Sequence, residues 1–188
     1  MAAATTRISP RFESGARDAD LKPAGPGLSL STMVRMSDLH PDEAEHMRAR
    51  AEALPEIEAG PWLTPKPLAE SRVAIVSTAG MHRRSDPPFT LGAVDYRIVP
   101  GDAGFDEMVV SHISTNFDRS AFQKDPNIAF PLDRLCEMAQ CGEIDSVAQW
   151  HYSFMGAMPV PTMFEDTGTE VGRLLAADDV DVALLIPV

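Results

Sequence analysis

No stretch of this sequence approaches the roughly 20 apolar residues that a membrane-spanning helix needs. The opening "MAAATTRISPRFESG" has no apolar core of the kind a secretory signal carries. Basic residues are scarce: 16 Lys and Arg stand against 28 Asp and Glu, a net charge of -12. Such a surface repels polyanions, so neither nucleic acid nor membrane is an expected partner. Two cysteines make no disulfide framework, and the cytoplasm is the expected compartment. Phosphate-binding loops are missing too, because "GDAG" at 101–104 lacks the spacing of either nucleotide fingerprint. Nor is there a Gly-x-Ser-x-Gly elbow, which removes the most recognisable class of serine hydrolase.

What is present divides by composition. Residues 1–36, rich in Ala, Ser, Thr, Gly and Pro, read as a flexible leader. Residues 37–70 read as a short helix and a proline-rich connection. In "PDEAEHMRARAEAL" (41–54), Pro41 opens the helix, and Ala44, Met47, Ala51 and Leu54 share one face. "PEIEAGPWLTPKPLAES" then carries four prolines and is extended.

From 71 to 188 the pattern is α/β. "RVAIVST" (72–78), "DYRIV" (95–99) and "EMVVSHI" (107–113) read as strands. "PLDRLCEMAQCG" (131–142) reads as a helix with Gly142 as its C-terminal cap. "TGTEVGRLLAADD" (167–179) reads as another, opened by a Thr167–Glu170 capping box. "VDVALLI" (180–186) has the apolar run of a strand buried on both faces. The expected fold is α/β with a mostly parallel sheet flanked by helices, three-layer and Rossmann-like. It is expected to be incomplete at the C-terminus, because a helix normally covers such a strand and here only Pro187 and Val188 follow. The uncovered strand predicts an exposed apolar patch.

Polar residues bunch after the expected strands. "GMHRRSDPPF" holds His82, Arg83, Arg84 and Asp86. "SHISTNFDRSAFQKDPN" holds His112, Asn116, Asp118 and Arg119. "WHYSFMG", read as a later loop, holds His151 and Tyr152. Strand carboxyl ends are where α/β folds build sites. Each residue has a plainer reading: solvated loop for His82 and Arg83, a structural histidine for His112, a surface pair for Asp118 and Arg119. His82, Asp86, His112 and His151 are of metal-ligating type, but no two histidines lie one helical turn apart. Cys136 and Cys141, five apart on a helix, point about 140° apart and read as packing residues.

Five blocks in order, "RVAIVSTAGMHRRSDPPF", "DYRIVPGD", "SHISTNFDRSAFQKDPNIAFPLDRL", "GEIDSVAQWHYSFMGAMP" and "DVALLIPV", resemble the selenoprotein B family of glycine, sarcosine, betaine and D-proline reductases, especially its shorter D-proline-reductase-like members. The resemblance runs from about Trp62 to Val188. It implies that a selenocysteine or cysteine redox centre follows Val188 directly, with no cofactor held by this chain itself. It implies reductive cleavage of a C–N bond in a small amino acid or amine. Further implications are a partner subunit bearing a carbonyl group, a thiol electron donor, and an oligomeric assembly. On that reading His82, with His112 and His151 as second choices, moves protons, and Arg83 or Arg84 pairs with a substrate carboxylate. Asp86, Asn116, Asp118, Arg119 and Tyr152 complete the substrate-binding candidates. As written, without the redox residue, the 188-residue chain is expected to be inactive. Two alternatives from other classes are a non-catalytic half-domain that pairs with another chain through the unfinished sheet, and a metal-dependent hydrolase built on the histidines.

Overall fold

A computed structural model describes residues 35–56, 60–114, 119–158 and 160–188. All but the last two residues of the expected leader therefore lie outside the described residues, as do Asn116 and Asp118. The chain separates into two units, Met1–Ala53 and Leu54–Val188.

In the first unit, helix α1 (Pro41–Glu52) starts as its sequence requires. Pro41 occupies the first turn, the His40 imidazole accepts from the Asp42 N–H, and Asp42 and Glu43 sit where the helix dipole favours acids. The apolar face expected on it does not form. Ala44 is buried, but Met47 and Ala51 are exposed. Alanines offer too little apolar area to define a face.

The second unit is an α/β fold with a mostly parallel sheet. Strand β1 (Arg72–Ser77) lies at its centre, and β7 (Val182–Ile186) runs parallel along one edge of it, Val73 opposite Val182 through Ser77 opposite Ile186. On the other edge β5 (Ser146–Val147) and β6 (Trp150–Phe154) follow one another, both parallel to β1. β3 (Tyr96–Pro100) closes the far side, antiparallel to β6. A separate antiparallel ribbon joins β2 (Met81–Arg83) to β4 (Met108–Val110). The helices are α2 (Ser120–Lys124), α3 (Leu132–Gln140) and α4 (Glu165–Ala177).

Alternation along the strands makes the three layers. Val73 and Ile75 point to one side and join Leu132 and Leu135 of α3, Ile144 and Phe130. Val76 points to the other side and joins Tyr152, Phe154 and Val171 of α4. Each fully buried aliphatic side chain contributes about 2 kcal/mol, so the sheet is held chiefly by these two cores. α3 ends as its sequence predicts. Gly142 adopts φ 73°, and the N–H groups of Gly142 and Glu143 return to the carbonyls of Ala139 and Met138, a Schellman closure.

Several expectations need correction. "WHYSFMG" is strand β6, not a loop. Its His151 and Ser153 face β1 and β2 and spend their polar atoms on backbone N–H groups, which hid the alternation. The third expected strand stops at Val110, and β4 pairs with β2 outside the parallel sheet. α4 begins at Glu165, so Thr167 lies inside its first turn and caps nothing; a 3-10 turn at Pro161–Phe164 runs straight into the helix. Cys136, on α3, is half-buried against the core, but Cys141 is exposed rather than packed. β7 is not buried on both faces. It forms a sheet edge, and its Leu184 and Leu185 are 38% and 69% exposed, the apolar patch expected of an uncovered strand.

Candidate active site

The carboxyl ends of β1, β6 and β7 meet at one edge of the sheet. There the Thr78 hydroxyl oxygen accepts from the Val188 N–H at 2.8 Å and lies 3.3 Å from the Val188 carbonyl oxygen. The Gly156 N–H reaches the Thr78 carbonyl at 2.9 Å. A Cβ added at Gly156 would stand 2.6 Å from the Val188 carbonyl oxygen, so only glycine lets these chain segments close up. Gly80 is required for a related reason. Its φ is 64°, and a Cβ there would come within 3.0 Å of the His112 backbone nitrogen.

Two of the three candidate histidines stand at this edge. His82, on β2, is 3% exposed. Its Nδ1 lies 2.7 Å from the Arg83 carbonyl oxygen and its Nε2 lies 2.7 Å from the Ser111 Oγ. A carbonyl oxygen only accepts, so Nδ1 carries a proton; in the neutral ring Nε2 then accepts from the Ser111 hydroxyl. Phe89 packs edge-on against the ring, and the Arg97 guanidinium covers the Phe89 face at 4.5 Å. The neighbouring Arg97 also donates to the Pro87 carbonyl, which pins the Pro87–Pro88 turn.

His112 is buried beside the backbone of Val188 and Gly80. Burial, with the Arg119 cation adding to it, pushes its pKa below the usual histidine value; the Val188 backbone opposes this. The Arg119 guanidinium donates to the His112 carbonyl.

Arg119 also reaches a second feature. A cavity of about 420 Å³ is lined by Met81, Met108, Val109, Val110, Phe105, Phe122, Gln123, Pro126, Arg84 and Arg119. Apolar walls with two guanidinium groups suit a small molecule that carries a carboxylate. Arg84 is anchored there by donation from Nε to the Asp106 carbonyl. Arg83 is used differently. Its backbone N–H donates to Asp86 at 3.0 Å and its guanidinium lies 3.5 Å from the same carboxylate, so Arg83 and Asp86 build the turn after β2.

The third histidine, His151, is not part of this group. It lies near the amino end of β6, opposite Val99 of β3. Between β5 and β6 the ladder along β1 is interrupted. The Ala148 N–H bonds the Val73 carbonyl, and the Ile75 N–H donates to His151 Nδ1 at 2.9 Å. Burial lowers the His151 pKa to about 4, so the ring is neutral near pH 7. Tyr152 faces the opposite side of the sheet, in the core under α4, with its ring edge-on to Tyr96. Both residues therefore sit apart from the strand-end cluster, because β6 is a core strand and not a loop. Among the described residues no group of three or more His, Cys, Asp or Glu is placed to hold a metal ion.

Ser111 and Thr78 were not singled out in the sequence. The signal for Ser111 was its place beside His112 at the end of a short strand. It became readable only through the pairing of Met81 with Val110, which sets His82 diagonally across from Ser111.

The fold and this edge define a class: an α/β protein whose imidazole, hydroxyl and guanidinium groups gather where the parallel strands end. The profile of the glycine/sarcosine/betaine reductase selenoprotein B family matches residues 54–187, and the chain belongs to that family. It is similar to the D-proline reductase subunit gamma of Acetoanaerobium sticklandii, 38% identical over 122 residues, which cover 64% of this chain and 50% of that protein. The chain thus spans half the length of this curated relative. No solved structure matches it. Among the described residues no helix is long and apolar enough to cross a membrane.

Proposed function

We propose that the chain supplies the substrate and proton-transfer side of a reductase that cleaves a C–N bond in a small amino acid or amine. The observation that carries this reading is the position of Val188, clasped by Thr78 beside His112, one guanidinium away from a cavity suited to a carboxylate. In this reading a selenocysteine or cysteine directly after Val188 supplies the redox nucleophile, ionised and aimed at the substrate α-carbon.

This chain's own residues would do the rest. Arg84 and Arg119 orient the substrate through its carboxylate. His112, held neutral near pH 7 by burial, supplies an uncharged imidazole next to the redox position. His82 exchanges a proton with the substrate amine. A partner subunit bearing a carbonyl group would activate that amine, and a thiol donor would restore the redox residue. The name of the Acetoanaerobium sticklandii relative, a D-proline reductase subunit, supports a role inside an assembly of subunits and makes D-proline the first substrate to try. The exposed apolar edge of β7 is consistent with burial in such an assembly.

The test is mass spectrometry of the protein expressed from its own gene with selenium supplied. The expected species carries selenocysteine or cysteine immediately after Val188. Any other residue at that position removes the nucleophile and overturns the reading.

A further inference from the structure

His82 is the natural first choice for proton transfer, yet its surroundings forbid direct contact with a substrate. The ring is 3% exposed. One nitrogen is held by the Arg83 carbonyl and the other by the Ser111 hydroxyl, each at 2.7 Å. Phe89 packs edge-on against the ring. The charged groups on its turn, Arg83 and Asp86, are paired with each other. Every proton that enters or leaves Nε2 must therefore pass the Ser111 oxygen. Ser111 itself is half-buried, and its backbone N–H is fixed by the Gly80 carbonyl at 2.9 Å. It lies between Val110, in the wall of the cavity, and His112.

We infer that Ser111 is the residue that meets the substrate amine, and that His82 acts through it as a relay. The inference rests on the reductase reading above and adds to it the identity of the contacting group. The balance is simple. An ammonium N–H gives its proton to Ser111 Oγ while the Ser111 hydroxyl proton passes to His82 Nε2. The serine ends unchanged, the amine becomes neutral and nucleophilic, and the imidazole becomes an imidazolium whose Nδ1–H stays on the Arg83 carbonyl. Run backwards, the same path returns a proton to a departing amine. The hydrogen bonds already point in the accepting direction, because Nδ1 is the protonated nitrogen of the neutral ring.

Two measurements test this, and they fail separately. In the 188-residue chain, ¹⁵N NMR of the imidazoles reads the His82 tautomer without any catalysis. The expected result is Nδ1–H, with an Nε2 resonance that moves in Ser111→Ala and is retained in Ser111→Thr. An Nε2–H tautomer, or an Nε2 signal indifferent to Ser111→Ala, overturns the relay even if the reductase reading stands. In the assembled reductase, Ser111→Ala is expected to lower kcat by roughly 100-fold and to erase the histidine limb of its pH profile, while Ser111→Thr keeps both. A Ser111→Ala enzyme with normal kcat and an unchanged pH profile overturns it as well. Absence of reductase activity in the assembled wild-type protein would instead count against the functional reading, with the tautomer result still deciding the relay geometry.

Discussion

At the amino end of the sheet, Asp178 accepts from the Arg72 guanidinium at 2.6 Å and from the N–H groups of Gln149 and Trp150 at 2.8 and 3.2 Å. Asp181 accepts from the Arg72 N–H and pairs with Lys66. His151, close by on β6, spends its Nδ1 on the Ile75 N–H. At the carboxyl end, by contrast, Ser111 is half-buried with its hydroxyl on His82, and Arg84 and Arg119 border a cavity. Both ends are rich in charge and imidazole. They differ in what those groups are bonded to. At the first, side chains replace missing backbone partners where β5 and β6 break and where α4 ends. At the second, the backbone closes on itself at Gly80 and Gly156, and Arg84 and Arg119 border the cavity. Charge density alone does not mark a site; the destination of the hydrogen bonds does.

The comparison can be broken most directly at Asp178. Asp178→Ala removes one carboxylate from three partners and leaves the Arg72 guanidinium and two N–H groups without it. We expect a loss of about 3 kcal/mol in urea unfolding. A loss below about 1 kcal/mol would show the amino-end network to be a surface feature with no structural weight.

His151 gives a test of similar size in pH. Its folded-state pKa is about 4 against 6.5 for the free side chain. The unfolded chain therefore takes up the proton first as pH falls, so the contribution is complete above pH 6.5 and disappears between 6.5 and 4. The shift corresponds to about 3 kcal/mol across that window, and His112, lowered in the same direction, adds to it. Urea unfolding at a series of pH values is expected to show this slope, with His151→Gln reducing it. An unchanged slope in His151→Gln would mean that the ring is not held neutral by burial.

The smallest effect sharpens the contrast in backbone terms. Asp179 has φ 52° at the end of α4, where the N–H groups of Asp179 and Val180 return to the carbonyls of Ala176 and Leu175. This is the same closure that Gly142 makes after α3, performed by a residue with a side chain. Asp179→Gly is expected to raise stability by about 0.5–1 kcal/mol in thermal unfolding, with no change at the carboxyl end. A destabilised variant would indicate that the Asp179 carboxylate contributes to the network around Arg72.

Much of this was legible before the structure. The apolar runs at 72–78 and 180–186 marked β1 and β7, and Gly142 marked the end of α3, because apolar β-branched runs favour strands and left-handed caps tolerate few residue types. The family was legible too, from blocks of sequence in order. β6 was not. Its polar members His151 and Ser153 look like loop residues until the N–H groups of Ile75 and Met81 are set opposite them. The candidate site was half legible. His82, His112, Arg84 and Arg119 belong to the strand-end and cavity region, but His151 and Tyr152 entered the candidates because "WHYSFMG" reads as a loop, and it is strand β6.

The division follows from range. Local sequence determined the start of β1 and the end of α3, since periodicity, caps and turn residues act over a few positions. Only the tertiary structure decided which histidine is a sheet brace and which meets a hydroxyl. That depends on partners such as Ile75 with His151, 76 residues apart, and His82 with Ser111, 29 apart, which no local pattern encodes.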